Sequence, residues 1–544
     1  MLGLFGTLDL GSRSMQTQQQ GVEVAGHNLA NVNNPAYSRQ RLVIGTAPSI
    51  STPTGMQGTG VTAISIEQMR NTILDSQIQD ETSVQGSLQA QQDALQYANA
   101  NLGQQIDRSA SADPATAAQG GQVGLAGDLT ALFNQFQSLS SDPSSLTERK
   151  AVLSQASSLA TEFNQVDQRL GSLQGQLNQT LGSDTDKANT LLQQIASLNT
   201  QITRAEDQSG GEANDLRDTR QDTLEQLAQL VKVDAVNGAD GSLNISIAGT
   251  SFVNGGKTVD SLQVYDAGGG QMMVQAATSG TPLDLTGGSL HGTIDARDGA
   301  IADLRTGINT MATQLITEVN AAHQGGYSLT GSTGADFFTG TNAGDIKVNS
   351  ALSENPALLQ AAGVSDASGD GAVARTLGQL ADKKLSSLGG TTLSQNYAQT
   401  VAGFGQSQSA VNQQLSDQGT VTGMLQNQRA SVSGVSMDEE MTNLVKFQKA
   451  YAASAKLIST IDGMLNDVIG PALHQQGEPH VRQLPDQGRG RRPGIHAVRQ
   501  GEHPRAGQHR DAGAGQLPAP ERAQAAAAVS RRDAVASDTA KAPG

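Results

Sequence analysis

The two ends of the chain carry apolar side chains at a spacing of seven residues. Near the N-terminus the repeat consists of Leu8, Met15, Val22 and Leu29, and a weaker seam of small and polar residues runs beside it at Leu4, Gly11, Gln18 and Ala25. This spacing is typical of a helix that packs along another helix. It predicts a thin N-terminal helix that stops near Pro35, because proline disfavours helix at the residue before it.

The second repeat lies in the segment 435–470. Its apolar positions are Met437, Leu444, Tyr451, Ile458 and Leu465, widened by Phe447, Ile461 and Val468. Ser436 and Glu439 have the spacing of a capping box, and the acidic run 438–440 suits the positive end of a helix dipole, with a role in subunit contacts as the alternative. Both ends are therefore predicted as amphipathic helices that pack on each other or on copies from other chains. Two ordinary amphipathic helices of one globular protein are the alternative, and periodicity alone does not decide between them.

The segment between the two ends changes its period twice. Residues 61–231 have helical spacing, residues 232–296 alternate apolar and polar side chains between glycine-rich turns, and helical spacing returns at 300–324 and from 395. We predict a terminal domain of residues 1–60 with 436–470, a helical domain of 61–231 with 395–435, and an inserted β-rich module of 232–394. The fold class is mainly α with an inserted β module, in an elongated multi-domain rod whose terminal helices pair as a coiled-coil-like shaft. The mixed pattern of 326–390 predicts no particular fold.

Composition narrows the classes of function. The formal charge of −16 argues against general nucleic-acid binding, which needs clustered lysine and arginine. The absence of cysteine excludes disulfides, thiol nucleophiles and cysteine-ligated metals. The N-terminal sequence lacks the basic region of a Sec signal peptide, and no apolar run approaches the ~20 residues of a membrane span. We therefore expect no membrane insertion, and either a cytoplasmic location or export without a cleaved signal.

The candidate catalytic and metal sites are weak. The stretch DASGDG, residues 366–371, begins like a calcium-binding EF-hand loop, but its twelfth position is Leu377 where a bidentate glutamate is needed. His27, His291 and His323 lie far apart in sequence, and each is more typical of a surface or a helix edge than of a catalyst. We predict no catalytic residue, no cofactor and no bound metal.

Four stretches carry a resemblance to a known family. HNLANVNNPAYSRQ, residues 27–40, resembles the N-terminal signature of bacterial flagellar axial proteins, and its Tyr-Ser-Arg-Gln ending resembles the hook-associated protein 1 family within that group. Residues 431–469 are similar to the C-terminal signature of that family, and residues 214–227 and 325–338 resemble two of its internal blocks. The resemblance covers residues 1 to about 470. The signature turn comprises Asn28, Asn31, Pro35, Tyr37, Arg39 and Gln40.

Two residues of the turn depart from the family signature. Asn34 stands where threonine is usual, and Ala36 stands where glycine is usual. Glycine adopts a positive φ freely, whereas alanine pays about 1 kcal/mol or more for it. We therefore expect the turn to differ in detail.

The resemblance implies a structural protein of the flagellum rather than an enzyme. Family members are exported through the flagellar type III apparatus without a cleaved signal, and they form a ring between hook and filament at the cell exterior. Their terminal helices pair in an inner layer, so the nine heptad residues named above are the expected assembly interface. The implied partners are other copies of the chain, the hook protein, the second junction protein, the filament, the export apparatus and an export chaperone.

Two other functions compete with this one. Another axial protein, such as hook or distal rod, shares the N-terminal Asn/Pro motif. A peptidoglycan-cleaving or other enzyme on a helical scaffold is the third hypothesis, although no nucleophile, metal cluster or isolated acid/base pair is visible in the sequence. In the free monomer we expect the terminal helices to be marginal, because thin isolated helices are unstable in water.

Residues 471–544 differ in composition and charge from the rest of the chain. They hold eleven Lys/Arg and seven Asp/Glu, a net charge of +4, so residues 1–470 carry −20. They also contain few apolar residues, whose burial cannot offset the loss of chain entropy on folding, which predicts a disordered tail. One hypothesis is a basic tail that binds metal or an acidic surface. We favour the other, an out-of-frame translation of GC-rich DNA that begins where the resemblance ends.

Overall fold

The computed structural model describes residues 3–53, 55–101 and 124–474. Its N-terminal elements are α1 (Leu4–Ala30), β1 (Gln40–Thr46), β2 (Ile50–Thr52), β3 (Gly55–Gln57) and β4 (Val61–Gln68). Strands β1 and β4 form an antiparallel ribbon in which Gln40 lies opposite Gln68, and β2 pairs with β3 in the same sense. The ribbon packs beside α1 and brings the chain back after the signature turn.

A block of long helices follows. It consists of α2 (Thr72–Asn101), α3 (Leu125–Ser141), α4 (Leu146–Ser209) and α5 (Asn214–Leu230). Helix α4 has 64 residues, which makes it about 96 Å long at 1.5 Å per residue. Both of its ends are capped. At the start, the Ser145 side chain accepts a hydrogen bond from the Glu148 N–H, and at the end, Gly210 takes the left-handed conformation with φ 67°.

The strands of the inserted module come next. They are β5 (Asp234–Asn237), β6 (Leu243–Ile247), β7 (Thr250–Asn254), β8 (Lys257–Thr258), β9 (Leu262–Asp266) and β10 (Met272–Ala276). The first four form an antiparallel sheet in sequential order, and β9 pairs with β10 in a separate ribbon. The alternating apolar positions Leu243, Ile245 and Ile247 are buried, as the period of two predicts.

The end of the β region was predicted wrongly, because residues 288–298 are helical and not extended. This helix, α6 (Gly288–Asp298), lies against α2 at a distance that only glycine permits. A Cβ placed on Gly292 would lie 2.0 Å from the carbonyl oxygen of Ser87. Gly292 therefore marks a close helix–helix contact and not a turn between strands.

The remaining elements return to mainly helical structure. They are α7 (Ala300–Gln324), β11 (Phe338–Thr339), β12 (Lys347–Val348), α8 (Ser350–Glu354), α9 (Ala372–Gln379), α10 (Leu393–Ser433) and α11 (Met437–His474), with 3₁₀ turns at Pro356–Leu358 and Ser386–Leu388. Helix α11 continues four residues beyond the predicted start of the tail at 471. Residues 475–544, for which we predict disorder, lie outside the described residues. The predicted fold class, mainly α with an inserted β module, is confirmed.

Two hydrophobic clusters meet along α4. The first joins the end of α2 and the first half of α4 to α3, α7, α9 and α10, and the second joins the second half of α4 to α5 and the strands. The first cluster includes buried apolar side chains from Ala296 to Leu388, so the buried side chains do not follow the predicted module boundary of 232–394. Within the described ranges, neither cluster includes a residue of α1 or α11. The two chain ends are therefore held by contacts of a different kind.

Two asparagine side chains of α4 each bind one residue of a strand through both its backbone N–H and its backbone carbonyl. Asn199 of α4 donates to the carbonyl of Leu243 at 2.8 Å and accepts from its N–H at 3.0 Å. Asn189 binds Leu262 in the same way, at 2.8 and 2.7 Å. Each amide thus takes the place of a neighbouring strand and leaves no backbone group unpaired.

Candidate assembly site at the paired chain ends

Helices α1 and α11 pack side by side in antiparallel directions. Residue numbers rise along one helix as they fall along the other in the contacting pairs Gly11 and Ile458, Ser14 and Ser454, Gly21 and Phe447, and Asn28 and Glu440. The hydroxyl oxygens of the serine pair are 2.9 Å apart. A Cβ on Gly21 would lie 2.6 Å from Cδ1 of Phe447, so the helix backbone of α1 rests directly on the ring.

The centre of this contact is not the predicted repeat. The buried positions of α1 are Gly11, Thr17, Gly21, Val24, Ala25 and Asn28, which include two residues of the weaker seam. The predicted Leu8, Met15, Val22 and Leu29 are half-buried beside it. On α11, Leu444, Ile458 and Leu465 are half-buried, whereas Met437 and Tyr451 are 54% and 36% exposed. Small side chains form the seam because they allow two helices to approach more closely than leucine or methionine would.

The signature turn is organised around the side chain of Asn28, which is 1% exposed. Its Nδ2 donates to the Gln40 carbonyl at 2.8 Å and to Glu440 at 3.1 Å. Its Oδ1 accepts from the Tyr37 hydroxyl at 2.7 Å and from the Gln40 N–H at 2.9 Å. All four hydrogen-bonding positions of the amide are used, so the end of α1, the turn, the start of β1 and α11 are fixed by one residue.

Arg39 joins the turn to the start of α11. Its guanidinium lies 2.7 Å from the carboxylate of Glu440, which is 3% exposed, and 2.7 Å from that of Glu439, which is 61% exposed. Its backbone N–H donates to the Ser433 carbonyl at the end of α10 at 2.8 Å. The predicted capping box is therefore absent from the described residues: the Glu439 carboxylate turns to Arg39 rather than back to the amide of Ser436.

The same turn is tied to α5, the helix formed by the internal block 214–227. The Ser38 N–H donates to Asp218 at 3.0 Å, and the Gln40 side chain donates to Asp215 at 2.8 Å. Arg70 contributes a salt bridge of 3.1 Å to Asp218. Burial raises the pKa of Asp218 above its ordinary value, although the hydrogen bonds from Ser38 and the charge of Arg70 act the other way.

Sequence reasoning missed these α5 contacts and the central position of Glu440. The available signal was that two resembling blocks, 27–40 and 214–227, occur far apart in one chain, but nothing in the sequence indicates that they touch. We call the buried cluster of Asn28, Tyr37, Arg39, Gln40, Asp218 and Glu440 the joint. Burial, followed by the carboxylates of Asp215, Asp218 and Glu440, raises the pKa of Tyr37, which keeps its hydroxyl protonated and able to donate.

The turn itself is unstrained. Helix α1 ends at Ala30, where the Asn31 side chain donates to the carbonyl of His27 at 3.0 Å, and Pro35 lies exposed beyond it. Ala36 has a negative φ, because the only described residues other than glycine with positive φ are Ala248 and Asp366. The expected cost of alanine in place of glycine therefore does not arise.

Helix α11 leaves apolar side chains uncovered on both sides of the seam. One group is Met437, Met441 and Val445, and the other is Leu457, Met464 and Val468, each between 41% and 64% exposed. At 100° per residue these groups lie on opposite flanks of the face that contacts α1. A single helix with two exposed apolar flanks is unusual on the surface of a soluble protein.

The remaining chemical candidates have structural roles. In the loop 366–371, Asp370 accepts hydrogen bonds from the N–H groups of Gly363 and Ala372, at 2.7 and 2.9 Å. His27 lies 3.2 Å from Asp215, and the ring of His291 lies 2.9 Å from the Ser87 hydroxyl. In the part of the chain that the structure describes, no group of three or more His, Cys, Asp or Glu could hold a metal ion, and no helix is long and apolar enough to cross a membrane.

Two family models match the chain. Residues 113–338 match the model described as "Flagellar hook-associated protein FlgK helical domain", and residues 426–470 match "Flagellar basal body rod FlgEFG protein C-terminal". The first spans α3 to α7, and the second spans the end of α10 and most of α11. The Glu440 side of the joint lies within the second.

Two similar proteins and one solved structure match most of this chain. Flagellar hook-associated protein 1 of Bacillus subtilis (strain 168) is 26% identical over 515 residues, which is 86% of this chain and 98% of that protein. Flagellar hook-associated protein 1 of Escherichia coli (strain K12) is 23% identical, with 84% and 97% covered. The solved structure of the flagellar hook junction protein from Burkholderia pseudomallei has the same fold, with a TM-score of 0.56 at 15% identity, and covers 66% of this chain and 100% of that one.

Proposed function

Because the chain belongs to the family of flagellar hook-associated protein 1 and so has a structural role in the flagellum, we propose that it joins the hook to the filament. The proposal rests above all on the joint. In the joint, side chains from both ends of the chain meet the internal block 214–227 in one buried cluster. The paired ends therefore have a defined position on the folded part of the chain between them, which we call the body.

We infer that the chain ends are the parts that assemble. The seam between α1 and α11 uses small and polar side chains, and the two flanks of α11 expose six large apolar ones. Copies of the same chain packed against these flanks would cover this surface, and burial of apolar area is the main favourable term in association. On this proposal the half-buried residues Leu8, Met15, Val22 and Leu29 lie where neighbouring copies meet the seam.

The wider setting follows from the same proposal. The subunit would be exported by the flagellar type III apparatus without a cleaved signal and with the help of an export chaperone. It would then contact the hook protein, the second junction protein and the filament outside the cell. The terminal domain of residues 1–60 with 436–470 would form the inner layer, and the bodies of the subunits would face outward.

A role as another axial protein, such as hook or distal rod, is the second candidate. It is favoured by the match of residues 426–470 to a rod-protein model. The match of 113–338 to a helical domain of hook-associated proteins favours the junction instead. Cells that lack the gene distinguish the two: hooks without filaments, with filament subunits lost to the medium, are expected for the junction protein, whereas missing hooks would indicate the alternative.

The tail is a separate proposal. We propose that residues 471–544 arise from a shift of reading frame at the end of the gene, since a long tail on every subunit would crowd the inner layer. The other reading frames after the Gly470 codon provide the test. Uninterrupted coding in the present frame, with a matching tail in sister strains, would contradict it.

A further inference from the structure

A short segment of the body, residues 356–362, is held by two buried basic side chains. We call this segment the strap. His323, at the end of α7, is fully buried, and its Nε2 accepts a hydrogen bond of 2.9 Å from the N–H of Gln360. Arg149, 1% exposed at the start of α4, donates through its guanidinium to the carbonyl of Leu359. The strap thus depends on a base that must accept and a cation that must donate.

The hydrogen-bond partners of His323 fix its protonation state. Nδ1 lies 2.7 Å from the carbonyl oxygen of Ala335, which can only accept, so Nδ1 carries a proton. Nε2 faces the N–H of Gln360, which can only donate, so Nε2 carries none. The imidazole is therefore neutral when the strap is closed. A second proton on Nε2 would point at the Gln360 N–H and remove the bond.

The surroundings of the ring make that second proton costly. Burial lowers the pKa of His323 to about 4, and the charge of Arg149 acts in the same direction. The hydrogen bond to Ala335 and the carboxylate of Asp336 oppose it. Within the described residues Arg149 forms no salt bridge. Its Nε donates to the carbonyl of Pro143 at 2.8 Å. A protonated His323 would thus place a second positive charge beside an unpaired one.

The strap covers a tightly packed part of the core. Leu359 and Ala361 of the strap are fully buried, and so is Phe337, whose ring lies 5.5 Å from that of His323. Backbone bonds between Tyr327 and the strap, including 2.8 Å from the Tyr327 N–H to the Ala362 carbonyl, close the same region. Loss of the His323 contact therefore exposes apolar side chains as well as backbone.

We propose that His323 and the strap form an acid-operated latch, which opens as a local unit at mildly acidic pH and exposes the core side chains beneath it while the rest of the body stays folded. In the open state the histidine is in water and binds its proton near pH 6.5. In the closed state it does so only near pH 4. Opening therefore becomes more favourable as the pH falls between these values, and its equilibrium constant is about 20-fold higher at pH 5 than at pH 7.

Hydrogen exchange of the full chain tests the latch. Amide exchange of peptides that cover residues 355–363 is measured by mass spectrometry at pH 7 and pH 5 and corrected for the intrinsic pH dependence of exchange. The expected result is a loss of protection of about 20-fold in the strap at pH 5 relative to pH 7, with strands β6 and β7 unchanged. Unchanged protection of the strap, or an equal loss throughout the body, would overturn the proposal.

Two variants and one spectroscopic measurement identify the group responsible. His323→Gln, which does not titrate in this range, is expected to reduce the pH effect to less than 3-fold, and His291→Gln is the matched control that keeps it. Loss of the effect in His291→Gln would contradict the assignment. If His323→Gln does not fold, proton NMR of the wild-type imidazole decides: a ring that titrates near pH 6.5 while the strap stays protected rules the latch out.

Discussion

The side-chain amide of Asn28 and the carboxylate of Glu440 are 3.1 Å apart and both buried, although 412 residues separate them in the chain. The contact closes the two ends of the protein on each other at the point where each end meets the body. Because no described residue of α1 or α11 belongs to either hydrophobic cluster, these polar bonds hold the ends in place together with the seam. Changes at the joint should therefore release the ends without unfolding the body.

Removal of the buried charge should open α11. In Glu440→Gln the Arg39 guanidinium loses its buried partner, and since Arg39 is 19% exposed we expect a cost of about 2–4 kcal/mol. Glu439→Gln is the matched control, because Glu439 is largely exposed and should cost at most about 1 kcal/mol. Trypsin cleavage after the exposed Lys446, Lys449 and Lys456 measures opening and should be at least 10-fold faster in the first variant. Equal rates in both variants would show that the joint does not hold the helix.

A single methyl group in the seam should separate the two helices. Gly21→Ala places its Cβ 2.6 Å from the ring of Phe447, whereas a Cβ on Gly26 meets nothing within 4 Å. Gly26→Ala should stabilise α1 by about 0.5–1 kcal/mol through helix propensity, so the two variants should change tryptic cleavage of α11 in opposite directions. Phe447→Leu combined with Gly21→Ala should restore part of the protection. Faster cleavage in both glycine variants would mean that the seam is less closely packed than the geometry requires.

Charges beside the seam should block assembly without damage to the body. Met15→Asp and Leu444→Asp place a carboxylate at half-buried positions on facing helices. We expect both proteins to be absent from assembled flagella, because a charge buried between helices is not compensated there. The β module should remain folded, and its resistance to proteolysis is the control. Normal filament assembly by both variants would contradict a role for the terminal helices.

The asparagine clamps should hold the inserted module on α4. In Asn199→Ala the N–H and carbonyl of Leu243 lose their partner. The buried guanidinium of Arg220, which donates to Asn199 at 2.7 Å, keeps only its bond of 2.8 Å to the carbonyl of Gly241 among the described residues. Unpaired buried groups of this kind cost about 1–3 kcal/mol each. Gln201→Ala, at an exposed position of the same helix, is the control. Urea unfolding should show a clear loss of stability in the first variant only, and equal midpoints would contradict the clamp.

The sequence predicted the terminal helices but not the way in which they pack. A heptad search weighs large apolar side chains, so it selected Leu8 and Met15, which flank the seam. Gly11 and Gly21 have no hydrophobic signal, and their importance depends on where Ile458 and Phe447 lie, which only the tertiary structure determines. The predicted capping box failed for a similar reason, since the nearby charge of Arg39 competes for Glu439.

The long-range polar contacts could not be predicted from the sequence, because they depend on which chain segments the fold brings together. Asn28, Asn189 and Asn199 are ordinary polar residues in a chain rich in asparagine, and each becomes a clamp only because a strand passes within hydrogen-bond distance. The resemblance of 27–40 and 214–227 to family blocks marked both sides of the joint separately. Contact between them depends on the path of the whole intervening chain.

The central claim is that the seam between the two chain ends carries assembly of the hook–filament junction. It is tested most directly by complementation of cells that lack the gene with Gly21→Ala or Gly26→Ala, followed by electron microscopy of the fraction of hooks that bear filaments. We expect Gly26→Ala to restore filaments as the wild type does, and Gly21→Ala to leave hooks bare with filament subunits in the medium. Filaments at the wild-type frequency in Gly21→Ala cells would contradict the account.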